Sequence, residues 1–117
     1  MKVYLAGPMR GYDDSNFPAF AEATQTLRDL NYVVLSPHEY SFSPDKTIKE
    51  YMTVDLPHLL SCDMVAVLDG WQGSQGARIE TYVAFMCEMP VRAYNIFERG
   101  LTQTLHKYDH PDIVRNL

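Results

Sequence analysis

The chain has 117 residues, a formal net charge of −5 and 46% hydrophobic residues. That length suits one domain whose core needs neither disulfide nor metal. The acidic balance argues against a broad surface for a nucleic-acid polymer, while one or two arginines still suffice to hold a small anion. Met1-Lys2 leads straight into a strand-like segment, with no signal peptide, and no apolar run approaches the ~18 residues of a membrane span. A cytoplasmic protein with no membrane partner is expected. Cys62 and Cys87 lie inside apolar segments, which predicts buried thiols in a reducing compartment.

In chain order, residues 2–6 read as a short buried strand, and Gly7-Pro8-Met9-Arg10-Gly11 follows as a loop. Phe17, Phe20, Ala21, Ala23, Leu27 and Leu30 form a helical stripe over 17–30. Ser15 or Asn16 is placed to cap that helix, Pro18 suits its first turn, and Asn31 is placed to stop it. Residues 32–35 form a second strand. Residues 36–46 hold two prolines without periodicity and read as a loop. Thr47 caps a helix reaching about residue 61, with Ile48, Tyr51, Met52, Leu56, Leu59 and Leu60 inward. Pro57 is expected to bend or divide it. A third strand spans 63–69, a third helix 75–87 and a fourth strand 91–96. Gly100 breaks the chain, residues 101–106 read as a short helix, and the polar tail 107–117 is expected to dock on the surface or on a partner. Alternating strands and helices predict an α/β fold: a single flavodoxin- or Rossmann-like three-layer domain over 1–117, with a four- to five-stranded parallel sheet.

The most informative stretch runs from Gly70 to Glu80, Gly-Trp-Gln-Gly-Ser-Gln-Gly-Ala-Arg-Ile-Glu. It reads as a glycine-rich turn between a buried strand and a helix opening. A carboxylate in the first turns of that helix faces the crevice beyond the strand's carboxyl end, where open α/β sheets bind ligands. Backbone amides of the turn are suited to an anion. Gly7 to Gly11 matches neither the dinucleotide fingerprint nor a P-loop. It is a structural turn or, through Arg10, a phosphate fork. Asp55 lies on a helix face expected to be partly covered and is either a surface charge or a site residue. Asp63 most simply caps a helix–strand junction. His38, after the second strand, either contacts a ligand or faces solvent, and His58 most simply lies on the surface. His38, His58, His106 and His110 have no zinc spacing, and no metal or other cofactor is implied. Trp71 either stacks on a base or plugs its loop onto the core, the second being favoured. Tyr4, mid-strand, needs a hydroxyl partner, for which a catalytic carboxylate would serve.

Three motifs, Tyr4-Leu5-Ala6-Gly7-Pro8-Met9-Arg10-Gly11, the Asp55…Asp63 pair and Ser74-x-Gly76-x-x-x-Glu80, make residues 1–96 resemble the nucleoside 2-deoxyribosyltransferase-like proteins. The resemblance is strongest to the branch that hydrolyses 2′-deoxynucleoside 5′-monophosphates and to short phage and bacterial proteins of that type. It implies that Glu80 attacks the anomeric carbon, that Asp55 assists at sugar or base, and that Tyr4 stands beside the nucleophile. It places Arg10 and Ser74 on the 5′-phosphate and His38 near the base. The substrate-binding set it implies is Gly7, Met9, Arg10, Gly11, His38, Ser74 and Gly76. Transferases acting on free nucleosides carry an aspartate six residues before the nucleophile, where this chain has Ser74. A serine can donate to a phosphate that a carboxylate would repel, which favours a nucleotide. Arg78 and Trp71 have no counterpart in the well-known hydrolases, and the C-terminal region is unmatched. In the family a neighbouring subunit often completes the site, so a homodimer or larger homo-oligomer is implied. The expected activity is an N-glycosidase on (deoxy)nucleoside 5′-monophosphates. The alternatives are a nucleoside 2-deoxyribosyltransferase, a phosphoribohydrolase of the cytokinin-activating type, whose denser glycine motif with a threonine is absent here, a non-catalytic nucleotide-binding module, and a structural or interaction protein.

Overall fold

The computed structural model describes residues 1–40, 43 and 45–113. Its strands are β1 (Lys2–Ala6), β2 (Val33–Leu35), β3 (Met64–Val67), β4 (Val91–Asn95) and β5 (Gly100–Leu105). Its α-helices are α1 (Phe17–Asp29), α2 (Pro37–Tyr40), α3 (Ile48–Leu60) and α4 (Gln75–Met86). The sheet order is β2-β1-β3-β4-β5, the flavodoxin-like order expected. β1 pairs in parallel with β2 and β3, and β3 in parallel with β4.

Alternation along the strands sorts the core into two faces. Val3, Leu5, Met64 and Ala66 pack with Phe20, Ala23 and Leu27 of α1. Tyr4, Ala6, Val65 and Val67 pack with Leu59 of α3 and with Ala77 and Ala84 of α4. Three layers result, with Tyr4 directed to the α3/α4 side. Full burial of a side chain such as Phe20, Leu5 or Leu27 contributes about 1.5–3 kcal/mol.

Local chemistry sets the helix ends. Thr47 and Glu50 form a reciprocal capping box at the start of α3, with N–H···O distances of 3.1 and 3.2 Å. Asn31 takes the left-handed conformation (φ 72°) that stops α1. Asn16 occupies the N-cap position of α1, but its side chain does not cap. Its amide instead donates to the Pro8 carbonyl at 2.9 Å and ties down the first loop. α3 runs undivided through the exposed Pro57.

Several expectations need correction. Residues 101–106 are not a helix: Gly100 opens β5, which runs antiparallel to β4, so the sheet is not wholly parallel. Asn95 closes the connecting turn by accepting the backbone N–H groups of Phe97 and Glu98, both at 2.9 Å. A short helix, α2, stands within the segment read as a loop. Leu30 and Leu60, at helix ends, are exposed, as is Cys87, just past the last turn of α4. Cys62 is buried. Asp63 accepts the Lys2 N–H at 2.8 Å and fastens the starts of β1 and β3 together. The tail expectation is resolved for residues 107–113, which fold back on the molecule, while 114–117 lie outside the described residues. No helix among the described residues is long and apolar enough to cross a membrane.

Candidate active site

A pocket of about 250 Å³ opens among the loops that follow β1, β2 and β3. This is the carboxyl edge of the sheet, where the loops of an open α/β fold gather ligands. Its lining includes Gly7, Met9, Arg10, Asp55, Ser74, Gly76 and Glu80.

Glu80 sits in the second turn of α4, only 4% exposed. The Tyr4 hydroxyl, reaching up from the middle of β1, donates to its Oε2. Register explains the meeting: a shift of one residue in β1 would send Tyr4 to the α1 face. The Glu80 carboxyl is pushed up to about 8, chiefly by burial, with the Tyr4 bond pulling down against it and the nearby negative Asp55 adding to the rise. Burial also lifts the Tyr4 phenol well above its ordinary range, reinforced by the charges of Glu80 and Asp55. Tyr4 therefore remains a proton donor.

Asp55, on α3, is 4% exposed. Two buried acids thus share one pocket with a phenol, an arrangement that folding alone does not favour. Tyr40, the last residue of α2, joins this group. Its ring stacks on His58 at 4.5 Å, and burial followed by the Asp55 charge raises its phenol, while the Tyr4 hydroxyl lowers it.

The rim is polar. Ser74 caps α4, its Oγ accepting from the Ala77 N–H at 3.2 Å. Capping uses an oxygen lone pair and leaves the hydroxyl as a donor. Arg10 is exposed, donates to the Lys46 carbonyl and lies 5.3 Å over the Tyr51 ring. Gly7 approaches β3 so closely that a Cβ there would stand 2.9 Å from Leu68 Cβ. Gly70, at φ +85°, brings its backbone under the Tyr12 hydroxyl.

Three expected site residues lie outside the lining: Tyr4, which meets the site only through its bond to Glu80, Gly11 and His38. Gly11 is an exposed turn position with φ +79°. His38 bonds to Ser36 at 2.5 Å and packs on Phe17 and Phe20, behind the pocket wall. Burial lowers its imidazole, against the pull of Glu39 and with the help of Arg28. Trp71 is 4% exposed and packs in the core, so it is a plug. Sequence reading missed Tyr12, Gln75 and the site-facing role of Tyr51 and Met52. The last two were read as core stripe. Tyr12, in the loop that follows β1, was within reach of the carboxyl-edge rule.

These features define an open α/β domain with an acidic pocket at the carboxyl edge of its sheet. The family model for a domain of unknown function, DUF4406, matches residues 1–93, and the chain belongs to that family. A 2-deoxyribosyltransferase from the psychrotolerant bacterium Bacillus psychrosaccharolyticus has the same fold, with a TM-score of 0.66 at 22% identity, over 97% of this chain and 82% of that one. A conserved protein from Enterococcus faecalis V583 superposes with a TM-score of 0.60 at 27% identity, over 80% of this chain and 62% of that one. No curated protein matches the sequence.

Proposed function

We propose that residues 1–117 form a single N-glycosidase domain that cleaves the base–sugar bond of (deoxy)nucleoside 5′-monophosphates, with Glu80 as nucleophile. One observation carries the reading: a buried glutamate, held by a tyrosine hydroxyl, faces a pocket rimmed by an arginine and a helix N-terminus. The likeness to a 2-deoxyribosyltransferase supports the same class of bond.

In this mechanism the Glu80 carboxylate attacks C1′ through an oxocarbenium-like state. The C1′–N bond breaks and its electron pair leaves with the base, which takes up a proton relayed by Asp55 or from solvent. Water then attacks C1′ and its hydroxyl stays on the sugar. 2-Deoxyribose 5-phosphate leaves, the carboxylate is restored, and the remaining water proton balances the one given to the base. Tyr4 orients Glu80. Arg10, released from the Lys46 carbonyl, and the Ser74 hydroxyl hold the phosphate beside the positive end of α4. Gly7, Met9 and Gly76 shape the wall. Gly11 sets the turn that presents Arg10, and His38 supports the wall at Phe20. The enzyme works in the cytoplasm as a homodimer or larger homo-oligomer.

Interception of the glycosyl–enzyme by a second base would give transfer with the same residues, the second reading that the 2-deoxyribosyltransferase likeness favours. Incubation with the four deoxynucleoside monophosphates, with and without an acceptor base, distinguishes the two. Free base without acceptor supports hydrolysis, a new nucleotide only with acceptor supports transfer, and intact substrate leaves a binding module. Glu80→Ala is expected to abolish base release while nucleotide binding survives, and full activity in that variant would refute the assignment. Arg10→Ala is expected to weaken monophosphate use far more than nucleoside use. Equal losses on both would make Arg10 structural.

A further inference from the structure

The C-terminal segment lies beyond the matched region 1–93, and none of the chemistry above uses it. Yet His110 is fully buried. Its ring lies among Trp71, Tyr82 and Phe85, with centroids 5.6, 5.8 and 6.1 Å away. Its Nε2 is 2.8 Å from the Arg78 carbonyl oxygen, and its Nδ1 accepts the Asp112 N–H at 3.1 Å. A carbonyl only accepts, so the ring carries its proton on Nε2 and uses both nitrogens. Asp112 also receives a fork from the Arg78 guanidinium, Nε at 3.0 Å and a terminal nitrogen at 2.5 Å. The approach is pre-shaped: His106 and Asp109 form a reciprocal cap around the turn Lys107–Asp109.

We propose that residues 106–113 are a latch on α4 and that His110 is a positioning residue for Glu80. Arg78, Tyr82 and Phe85 share one flank of α4, and at 3.6 residues per turn Glu80 projects from the opposite flank. The latch therefore never enters the pocket and acts through the helix. Its target is the weakest part of the site. Glycines stand at 70, 73 and 76 around the opening of α4, and Gly76, within its first turn, costs up to about 1 kcal/mol against alanine. Glu80 must also hold its place against the cost of burial beside Asp55. By gripping the main chain at Arg78 and covering Trp71, the tail fixes both sides of the Ser74 cap.

The catalytic half of this inference rests on Glu80 being the nucleophile, so its test has a readout independent of turnover. In His110→Phe, hydrogen–deuterium exchange at the amides of residues 77–82 is expected to rise about tenfold, the scale of one lost buried hydrogen bond, while the amides of β1 and β3 stay protected. Base release is expected to show kcat lowered about tenfold or more with KM little changed, because the carboxylate is misplaced and the phosphate grip is kept. His110→Gln, which keeps an N–H donor, should restore both. Asp112→Asn, at the surface, should move both the same way to a smaller extent and serves if His110→Phe does not fold. Unchanged exchange in the variants overturns the latch. Faster exchange with unaltered kcat overturns the positioning role. A wild-type protein that releases no base refutes the proposed function instead, and the exchange result still decides the latch.

Discussion

Glu80 is costly to keep where it is. Its folded-state carboxyl lies near 8 against an ordinary 4.5, so between those values the native state holds a proton that the unfolded chain has lost. Stability therefore falls as pH rises through that window and levels off above it. Glu80→Gln removes the titrating group, so the variant should gain on the wild type, by on the order of a few kcal/mol at most, between about pH 5 and about pH 9. Urea unfolding at the two pH values measures this, and a constant difference would mean that Glu80 titrates normally. Catalysis runs the other way. Attack needs the anion, so kcat/KM of the free enzyme should rise about tenfold per pH unit up to about 8 and then flatten. A profile already flat from about pH 5 would remove Glu80 as the nucleophile or show that its carboxyl is not raised. The residue that the proposed function needs as an anion is thus the one that folding prefers neutral, a conflict expected at a working site.

At the level of elements, two glycines of the proposed set answer to different forces. Gly7 closes the gap between the end of β1 and Leu68, where a methyl group would meet another Cβ at 2.9 Å. Gly7→Ala should cost about 1–3 kcal/mol in urea unfolding, because backbone and not a flexible tip must move. Gly76 sits in the first turn of α4, with the Met52 terminal methyl 3.8 Å from where a Cβ would lie. Gly76→Ala should be tolerated and gain up to about 1 kcal/mol, while crowding the pocket wall. If both behaved alike, close packing would not be what keeps Gly7. The sequence set Gly7 in a loop and Gly76 in a helix opening, but showed for neither how closely it is packed. The distinction lies in contacts made sixty residues apart, between Gly7 and Leu68.

Across the whole molecule, legibility followed the range of the interactions. Thr47, with Glu50 three residues on, and Asn31 after an apolar stripe are local devices, and the ends of α1 and α3 fell close to where the sequence put them. The parallel core was legible from the alternation of strands and helices, whereas the face of β1 that carries Tyr4 emerged only in the structure. β5 was not legible. Leu101 and Leu105 stand four apart and mimic a helical stripe, whereas their strand state comes from pairing with Val91 and Tyr94 on β4. The site was legible where residues follow strand ends, as with Arg10, Ser74 and Glu80. Tyr51 was missed as core stripe on the same helix where the family resemblance singled out Asp55. Because β5 turns the chain back along the sheet, residues 107–113 pack against the helix that bears Glu80, whereas Met1 is 66% exposed at the start of β1. An affinity tag or fusion partner therefore belongs on the amino end. Appended to the other end, it would pull on the segment proposed to bolt α4 in place.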